Sequence, residues 1–309
     1  MPSLKELLSH RSFLRFMGAR FLVVTANQML MVAVAWHMYD LTGSPWDLGL
    51  VGLFQFVPAL LLTLPAGHVA DRVHRGHLFA TCVSIQAAAS ACLVWATLDE
   101  FVSRDLILFL SVVLGSTRAF QMPAQQALTP TLLPSNLIQR GVAFSTSALQ
   151  AGTIGGPALG GMLYAHGALT VYATCVAMMV LSSALTLTVR YVHHATQEAV
   201  SWTSAMAGVT FVWQNKILLG ATSLDLFAVL LGGATALLPI YARDMLHTGP
   251  EGLGLLRAAP AVGALLMSFV MLRWPLRRHV GYHLLGAVAV FGVATVVFGF
   301  SHHLGLSLL

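Results

Sequence analysis

Long runs of apolar residues, separated by short polar connections, set the pattern of this sequence. A helix needs about 20 predominantly apolar residues to cross the roughly 30 Å hydrocarbon core of a bilayer. Runs of that length predict nine membrane-spanning helices, near residues 14–39, 47–69, 77–98, 105–126, 142–165, 168–191, 217–242, 253–273 and 282–303. The pattern therefore predicts an all-α polytopic membrane protein.

The composition narrows the class further. Of the 309 residues, 57% are hydrophobic and only 9% are charged, against about 25% charged in an average soluble domain. This balance excludes a soluble enzyme, a secreted disulfide scaffold and a disordered regulator. Cys82, Cys92 and Cys175 each lie inside an apolar run, which is typical of small buried hydrophobic residues. The histidines have no nearby cysteine or carboxylate set, so no metal site is predicted.

The basic residues concentrate on one side of the predicted spans. The connections on the N-terminal side carry Lys5, Arg11, Arg15, Arg72, Arg75, Arg140, Arg190, Lys216, Arg273, Arg277 and Arg278. The opposite side is largely acidic, with Asp40, Asp47, Asp99, Glu100 and Asp244 among its charges. Because cytoplasmic loops of membrane proteins are enriched in Lys and Arg, we predict a cytoplasmic N-terminus in a cell membrane. The same bias explains the net charge of +5 without a nucleic-acid partner.

The longest polar connection, residues 193–215, divides the chain. Its Trp202, Met206, Val209 and Trp213 are spaced to share one helical face, which favours an amphipathic linker on the cytoplasmic membrane surface. The linker is either a flexible joint between two bundles or a passive connector. We expect a six-helix bundle over residues 1–192 and a partial bundle of three helices over 216–309. An equal second half would end at roughly residue 400, so we expect the chain to be incomplete.

Three motifs lie in order along the predicted spans. After the second span, Gly67, Asp71, Arg72 and Arg75 form a G-x-x-x-D-R-x-x-R pattern. The fourth span carries an R-x-x-Q pattern, and the fifth carries G-x-x-x-G-P-x-x-G-G. The residues of these two patterns are Arg118 and Gln121, and Gly152, Gly156, Pro157, Gly160 and Gly161. In this combination the chain resembles the major facilitator superfamily, most closely its enterobactin-exporter and drug-efflux branch.

The resemblance implies both the architecture and the activity. The fold would be the major-facilitator fold, with the N-terminal six-helix bundle followed by the first three helices of the C-terminal bundle. The function would be secondary active transport, as a proton-coupled exporter of small amphipathic molecules such as drugs or siderophores. No cofactor is expected beyond a proton gradient as energy source, and the complete protein is expected to be a monomer in the lipid bilayer.

Other functions remain open at this stage. The same superfamily contains importers of metabolites, and a truncated chain could be inactive. A polytopic membrane enzyme is remote, because the loops are short and offer no catalytic set of a histidine with a carboxylate.

The first motif suggests a gate. An aspartate at a helix boundary can hold a neighbouring helix terminus or an arginine, and release it when the bundles rock. The resemblance implies that Asp71, with Gly67, Arg72 and Arg75, acts as a latch that favours the outward-facing state. The alternative is an ordinary positively charged cytoplasmic turn.

The glycines of the fifth span indicate close helix packing. Gly152, Gly156 and Gly160 recur every four residues, so they share one helix face where a second backbone can approach closely. Pro157 predicts a bend, because its ring crowds the carbonyl group one turn earlier. The family associates the full pattern, which ends at Gly161, with exporters. General small-residue packing is the alternative.

Three charged residues lie inside predicted spans, where charge is costly. Arg20 is about two turns from the cytoplasmic start of its helix, so an interfacial anchor is its favoured interpretation. Asp225 is near mid-depth, and we predict that it is buried and carries the coupling proton. Arg118 would modulate it, with Gln121 one turn away as its partner. A structural ion pair or a hydrogen-bonded aspartate is the alternative.

Uncharged polar residues add to the candidate cavity. These are Asn27 and Gln28 in the first span, and Gln121 and Gln125 in the fourth. They either line the transport cavity or form hydrogen bonds between helices.

Overall fold

The computed structural model describes residues 7, 9–134, 136–189, 210–231, 234–274 and 280–309, and these form helices without a strand. The helices are α1 Arg11–Thr42, α2 Pro45–Arg72, α3 Arg75–Leu98, α4 Arg104–Thr131, α5 Ile138–Tyr164, α6 Ala168–Leu187, α7 Lys216–Leu231, α8 Pro250–Arg273, α9 Val280–Phe300 and the short α10 Leu304–Ser307. By length and composition, seven of the described helices could cross a membrane, namely α1 to α4, α6, α8 and α9. The predicted all-α membrane fold is confirmed.

The seventh apolar run does not form the single continuous span that we predicted over residues 217–242. Helix α7 ends at Leu231 and is followed by a 3₁₀ turn over Ala234–Leu237, one α-helical turn and a π-helical turn over Tyr241–Met245. The sequence of this run contains two consecutive glycines and Pro239. Glycine costs about 1 kcal/mol in a helix interior, and proline lacks the N–H that the regular ladder needs. We call Ala234–Met245 the interrupted segment.

The short turns at the predicted outer end are set by local chemistry. Gly43 ends α1 in the left-handed conformation at a φ of 60°, and its N–H donates to the carbonyl of Tyr39. The side chain of Ser44 then accepts a hydrogen bond from the backbone N–H of Asp47 and caps α2. Glycine tolerates the positive φ and serine satisfies an unpaired N–H, so α1 and α2 are joined without a longer loop.

The first six helices pack around α1. Helix α1 lies against α5 and α6, α4 lies against α2 and α3, and α3 lies against α6. The core contains aromatic contacts such as the edge-to-face pair of Phe16 and Phe79, with ring centroids 5.6 Å apart. Helix α8 packs against the other side of α5, which connects this group of helices to the later part of the chain. Most of the predicted linker, residues 193–209, lies outside the described residues, so the domain division stays a prediction.

Candidate functional site

The connection between α2 and α3 is shorter than the sequence suggested. We placed the first motif after the second span, which is wrong: Gly67, Asp71 and Arg72 belong to the end of α2, and Arg75 begins α3. The guanidinium of Arg75 donates a hydrogen bond to the carbonyl oxygen of Ala127, near the end of α4, over 3.5 Å. A cation is favoured there by the negative end of the α4 dipole. The side chain of Asp71 lies outside the described part, so its latch role stays a prediction.

The glycines of α5 lie against the backbone of α1. A Cβ atom at Gly156 would be 2.6 Å from the Cβ of Gln28, and one at Gly160 would be 2.8 Å from the Cα of Met29. At Gly152 the nearest atom, a threonine hydroxyl oxygen, would be 3.0 Å away. These distances are below ordinary van der Waals contact. The helices therefore touch along the glycine face that the four-residue spacing predicts.

A second surface of α5 touches α8. A Cβ atom at Gly161 would overlap the carbonyl oxygen of Pro250, and one at Gly254 would be 2.5 Å from the carbonyl oxygen of Pro157. Gly254 therefore completes a contact between two backbones that the α5 motif alone did not reveal. This contact joins the first six helices to α8 near the predicted outer end.

Charged and aromatic side chains close the same end. The hydroxyl of Tyr39, at the end of α1, donates a hydrogen bond to the carboxylate of Asp244 in the interrupted segment. The guanidinium of Arg243 lies 2.7 Å from the carboxylate of Asp40 and 5.5 Å from the centre of the Tyr39 ring. Sequence reasoning placed Asp40 and Asp244 on one side of the membrane but did not pair Asp40 with Arg243. Their opposite charges were the available signal.

Arg20 does not act as the interfacial anchor that we favoured from sequence. Its guanidinium donates hydrogen bonds to the hydroxyls of Ser145 on α5 and Thr129 on α4. With the amide of Gln125 oriented so that its oxygen faces the guanidinium, that oxygen also accepts from Nε of Arg20 over 2.7 Å. Arg20 thus ties α1 to α4 and α5 inside the bundle, because these two helices supply acceptors at its depth.

A buried glutamine that the sequence did not single out organises the middle of the bundle. Gln86 of α3 is fully buried and donates to the side-chain oxygen of Gln121 over 2.8 Å and to the hydroxyl of Thr117 over 3.2 Å. Its own oxygen accepts from the amide of Asn27 over 3.3 Å. The predicted pairing of Gln121 with Arg118 is therefore replaced by a network across α1, α3 and α4. The signal in the sequence was a glutamine inside an apolar run.

A cavity of about 520 Å³ lies between α1, α2, α4 and the interrupted segment, at the edges of α5 and α8. Its lining residues are Gln28, Met31, Ala35, Leu48, Val51, Gly52, Gln55, Phe56, Ala59, Arg118, Pro157, Thr235, Ala236 and Arg257. We call it the central cavity. Arg118 is about 21 Å along the 28-residue α4, at 1.5 Å per residue, which is the middle of that helix. The volume is within the range of sites for drug-sized molecules.

A second cavity of about 220 Å³ continues along α1 toward its N-terminal end. Arg20, Asn27, Gln121 and Gln125 line it together with apolar residues. Gln28, Met31 and Arg118 line both cavities, so these three side chains stand between them. Most of the polar candidates from the sequence are therefore brought together around α1 and α4.

Asp225 lies apart from this group. Its side chain is exposed on α7 and lines neither cavity, so the burial that we predicted is not found. Helix α7 faces α9 across an apolar cleft lined by Leu224, Phe227 and Phe291 among others, and this cleft does not enclose the carboxylate. The proton-carrying role of Asp225 stays a prediction.

Apolar helices around a cavity with polar side chains at mid-depth define the class, a multi-pass membrane transporter. The sequence matches the transmembrane secretion effector family over residues 8–307. The chain therefore belongs to this family of major facilitator superfamily transporters, and the resemblance inferred from the three motifs is confirmed. Because its relatives include bacterial transporters, its location is a cell membrane.

The relatives and the similar structures are transporters. The chain is 28% identical to the multidrug efflux pump Tap of Mycolicibacterium fortuitum, over 89% of this chain and 70% of Tap. It is 25% identical to the staphyloferrin A transporter of Staphylococcus aureus, over 48% of this chain and 38% of that protein. A bacterial homologue of the human lysosomal transporter Spinster, solved in an inward-facing and unoccupied conformation, shares the fold with a TM-score of 0.71 at 15% identity. That match covers 97% of this chain and 71% of the solved chain. The chain thus spans only part of the length of these proteins.

Proposed function

We propose that this chain exports small amphipathic molecules, such as drugs or siderophores, in exchange for protons. The observation that carries the proposal is the central cavity. It combines apolar walls with polar side chains, among them Arg118 at the middle of α4, as an amphipathic substrate requires. Relatives named as a multidrug efflux pump, a macrolide efflux protein and a staphyloferrin A transporter support this choice.

The contacts at the predicted outer end suggest how access would alternate. The backbone contact of α5 with α8 and the ion pair of Asp40 with Arg243 both join the first six helices to later parts of the chain. Separation of these two contacts would open the cavity to the outside. In this proposal the α5–α8 contact and the ion pair of Asp40 with Arg243 both break and re-form in each transport cycle.

The first motif would act at the opposite end of the same helices. Arg75 joins the start of α3 to the end of α4, and Asp71 and Arg72 lie at the adjoining corner, at the end of α2. In our proposal Asp71 is the part of this corner that engages and releases a partner. Asp71→Asn should reduce transport without reducing the amount of protein in the membrane. Transport at the unmodified rate would contradict the latch.

Inverted membrane vesicles test the direction and the coupling together. Vesicles that contain the chain are acidified inside, and a panel of anionic, neutral and cationic amphipathic dyes is added outside. We expect at least one dye to accumulate, and a protonophore to abolish the accumulation. Dye uptake that does not exceed uptake by vesicles without the chain would refute the proposal. Proton-driven accumulation in right-side-out vesicles instead would establish the alternative, an importer of the same superfamily.

The vesicle assay has a matched pair of variants on α5. Gly156 lies against α1, whereas a Cβ atom at the adjacent Gly155 would meet no atom within 4 Å. Gly156→Leu should abolish accumulation, and Gly155→Leu should retain it. Equal activity of the two variants would show that the close contact at Gly156 is not required for transport.

A further inference from the structure

Two arginines line the central cavity, and none of the other described residues that line it is acidic. Arg118 of α4 and Arg257 of α8 both contribute to its wall. We propose that this pair binds the substrate through two anionic groups, so that the preferred substrate is an amphipathic dianion. The inference rests on the proposed function, because it assigns the substrate class of the same cavity.

Neither arginine is neutralised by the described part of the protein. Arg257 has a buried Nε atom with no hydrogen-bond partner there. Arg118 is partly buried and forms no hydrogen bond or ion pair with a described residue. A cation that is removed from water without a partner is strongly disfavoured, and more so at membrane depth. A bound anion would supply the missing charge and the missing acceptors.

Three other arginines, unlike Arg118 and Arg257, have acceptors within the described part of the protein. The guanidinium of Arg20 has hydroxyl acceptors on α4 and α5, that of Arg243 pairs with Asp40, and that of Arg104 pairs with Asp47. The protein therefore provides acceptors where an arginine has a structural role. It leaves Arg118 and Arg257, which share one cavity, available to a ligand.

The dimensions of the cavity set the size of the ligand. Arg118 is about 21 Å along α4 and Arg257 about 10 Å along α8, and both helices begin at the predicted outer end. The volume of about 520 Å³ is that of a sphere about 10 Å across. Apolar residues, among them Val51 and Phe56, line the same cavity. A molecule with an anionic group at each end of an apolar body fits this arrangement.

Equilibrium binding of decanedioate, an apolar chain with a carboxylate at each end, tests the inference. The 309-residue chain is placed in nanodiscs of phosphatidylcholine and titrated with the radiolabelled dianion. We expect saturable binding that dimethyl decanedioate and decanediamine do not displace. Because hydrogen bonds to charged groups are strong, Arg118→Gln and Arg257→Gln should each weaken binding by roughly tenfold or more.

Two variants separate lost binding from lost folding. Arg273 lies at the far end of α8 with an exposed side chain, so Arg273→Gln should bind like the unmodified protein. Arg257→Lys keeps the positive charge and should retain part of the binding that Arg257→Gln loses. Each variant is compared after size-exclusion chromatography has shown a single folded species. Equal binding by Arg257→Lys, Arg257→Gln and the unmodified protein would overturn the inference.

The remaining outcomes are equally decisive. Displacement by the neutral diester, or no saturable binding at all, overturns the dianion assignment. Loss of binding in nanodiscs of phosphatidylglycerol, at a salt concentration that screens their surface charge, would assign the two arginines to a lipid headgroup and overturn the substrate assignment. The experiment needs no proton gradient and no direction of transport. Failure of the vesicle assay with intact binding would therefore refute the proposed function alone.

Discussion

Gly156→Ala tests whether the α1–α5 contact depends on the absence of a single methyl group. The added Cβ would lie 2.6 Å from the Cβ of Gln28 and 2.9 Å from the carbonyl oxygen of Thr25. Ordinary van der Waals contact begins near 3.4 Å, so the two helices must separate by about 1 Å. One of the two clashing atoms belongs to the backbone, so a change of rotamer cannot relieve the overlap.

The expected cost follows from packing, and a control isolates it. Overpacking of a closely packed contact costs about 1–3 kcal/mol. Alanine also gains up to about 1 kcal/mol over glycine in helix propensity. Gly155→Ala in the same helix has the same propensity gain, and its Cβ meets no atom within 4 Å. The difference between the two variants is therefore about 1–3 kcal/mol of packing cost alone.

The assay is thermal unfolding of both purified variants in one detergent, followed by intrinsic tryptophan fluorescence. Gly156→Ala should unfold several degrees below Gly155→Ala, and its transport in inverted vesicles should be lower. Equal unfolding midpoints for the two variants would refute the reasoning. They would mean that α1 moves away from α5 at negligible cost, so that the glycine face is not a close contact in the membrane.

Three further predictions concern other parts of the site. Gly254→Ala places a Cβ 2.5 Å from a backbone carbonyl of α5, whereas Gly263→Ala on the same helix meets open space. The reporter is a cysteine that replaces Ala35 of the central cavity, in a protein whose native cysteines have been removed. An impermeant maleimide should label this cysteine faster when Gly254→Ala is present, and Gly263→Ala should leave the rate unchanged. Gln86→Leu removes three hydrogen bonds between helices and should lower the free energy of unfolding by about 1–3 kcal/mol. An unchanged unfolding transition would contradict the structural role of that network. Asp225→Asn should allow substrate exchange but abolish its dependence on the pH gradient, and unchanged coupling in vesicles would exclude Asp225 from the mechanism.

The features that the sequence predicted correctly are local ones. Apolar runs of bilayer length locate the helices, because each helix satisfies its own backbone hydrogen bonds and needs no information from its neighbours. The glycine face of α5 was equally visible, since a spacing of four residues fixes a shared face. The interrupted segment from Ala234 was also open to prediction from the consecutive glycines and Pro239, but the apolar character of the run obscured it.

The features that the sequence did not predict arise where three helices meet. Gln86 and Gln121 differ little in their local sequence surroundings, yet one is the centre of the network and the other is a partner. Which side chains meet depends on the rotation and height of each helix, and neither is fixed by its own residues. The exposed position of Asp225 has the same origin, because burial requires neighbours that a single span does not specify.

Arg20 and Arg118 show why depth within a span does not decide the role of a charge. From sequence, the shallow Arg20 was an anchor and the deep Arg118 a functional candidate. In the structure Arg20 is surrounded by acceptors from α4 and α5, whereas Arg118 faces two cavities without a described partner. A charge inside a membrane protein is compensated by the protein, by water in a cavity or by what the protein binds. Arg20 is compensated by its neighbours, whereas in our proposal Arg118 and Arg257 are compensated by the bound substrate.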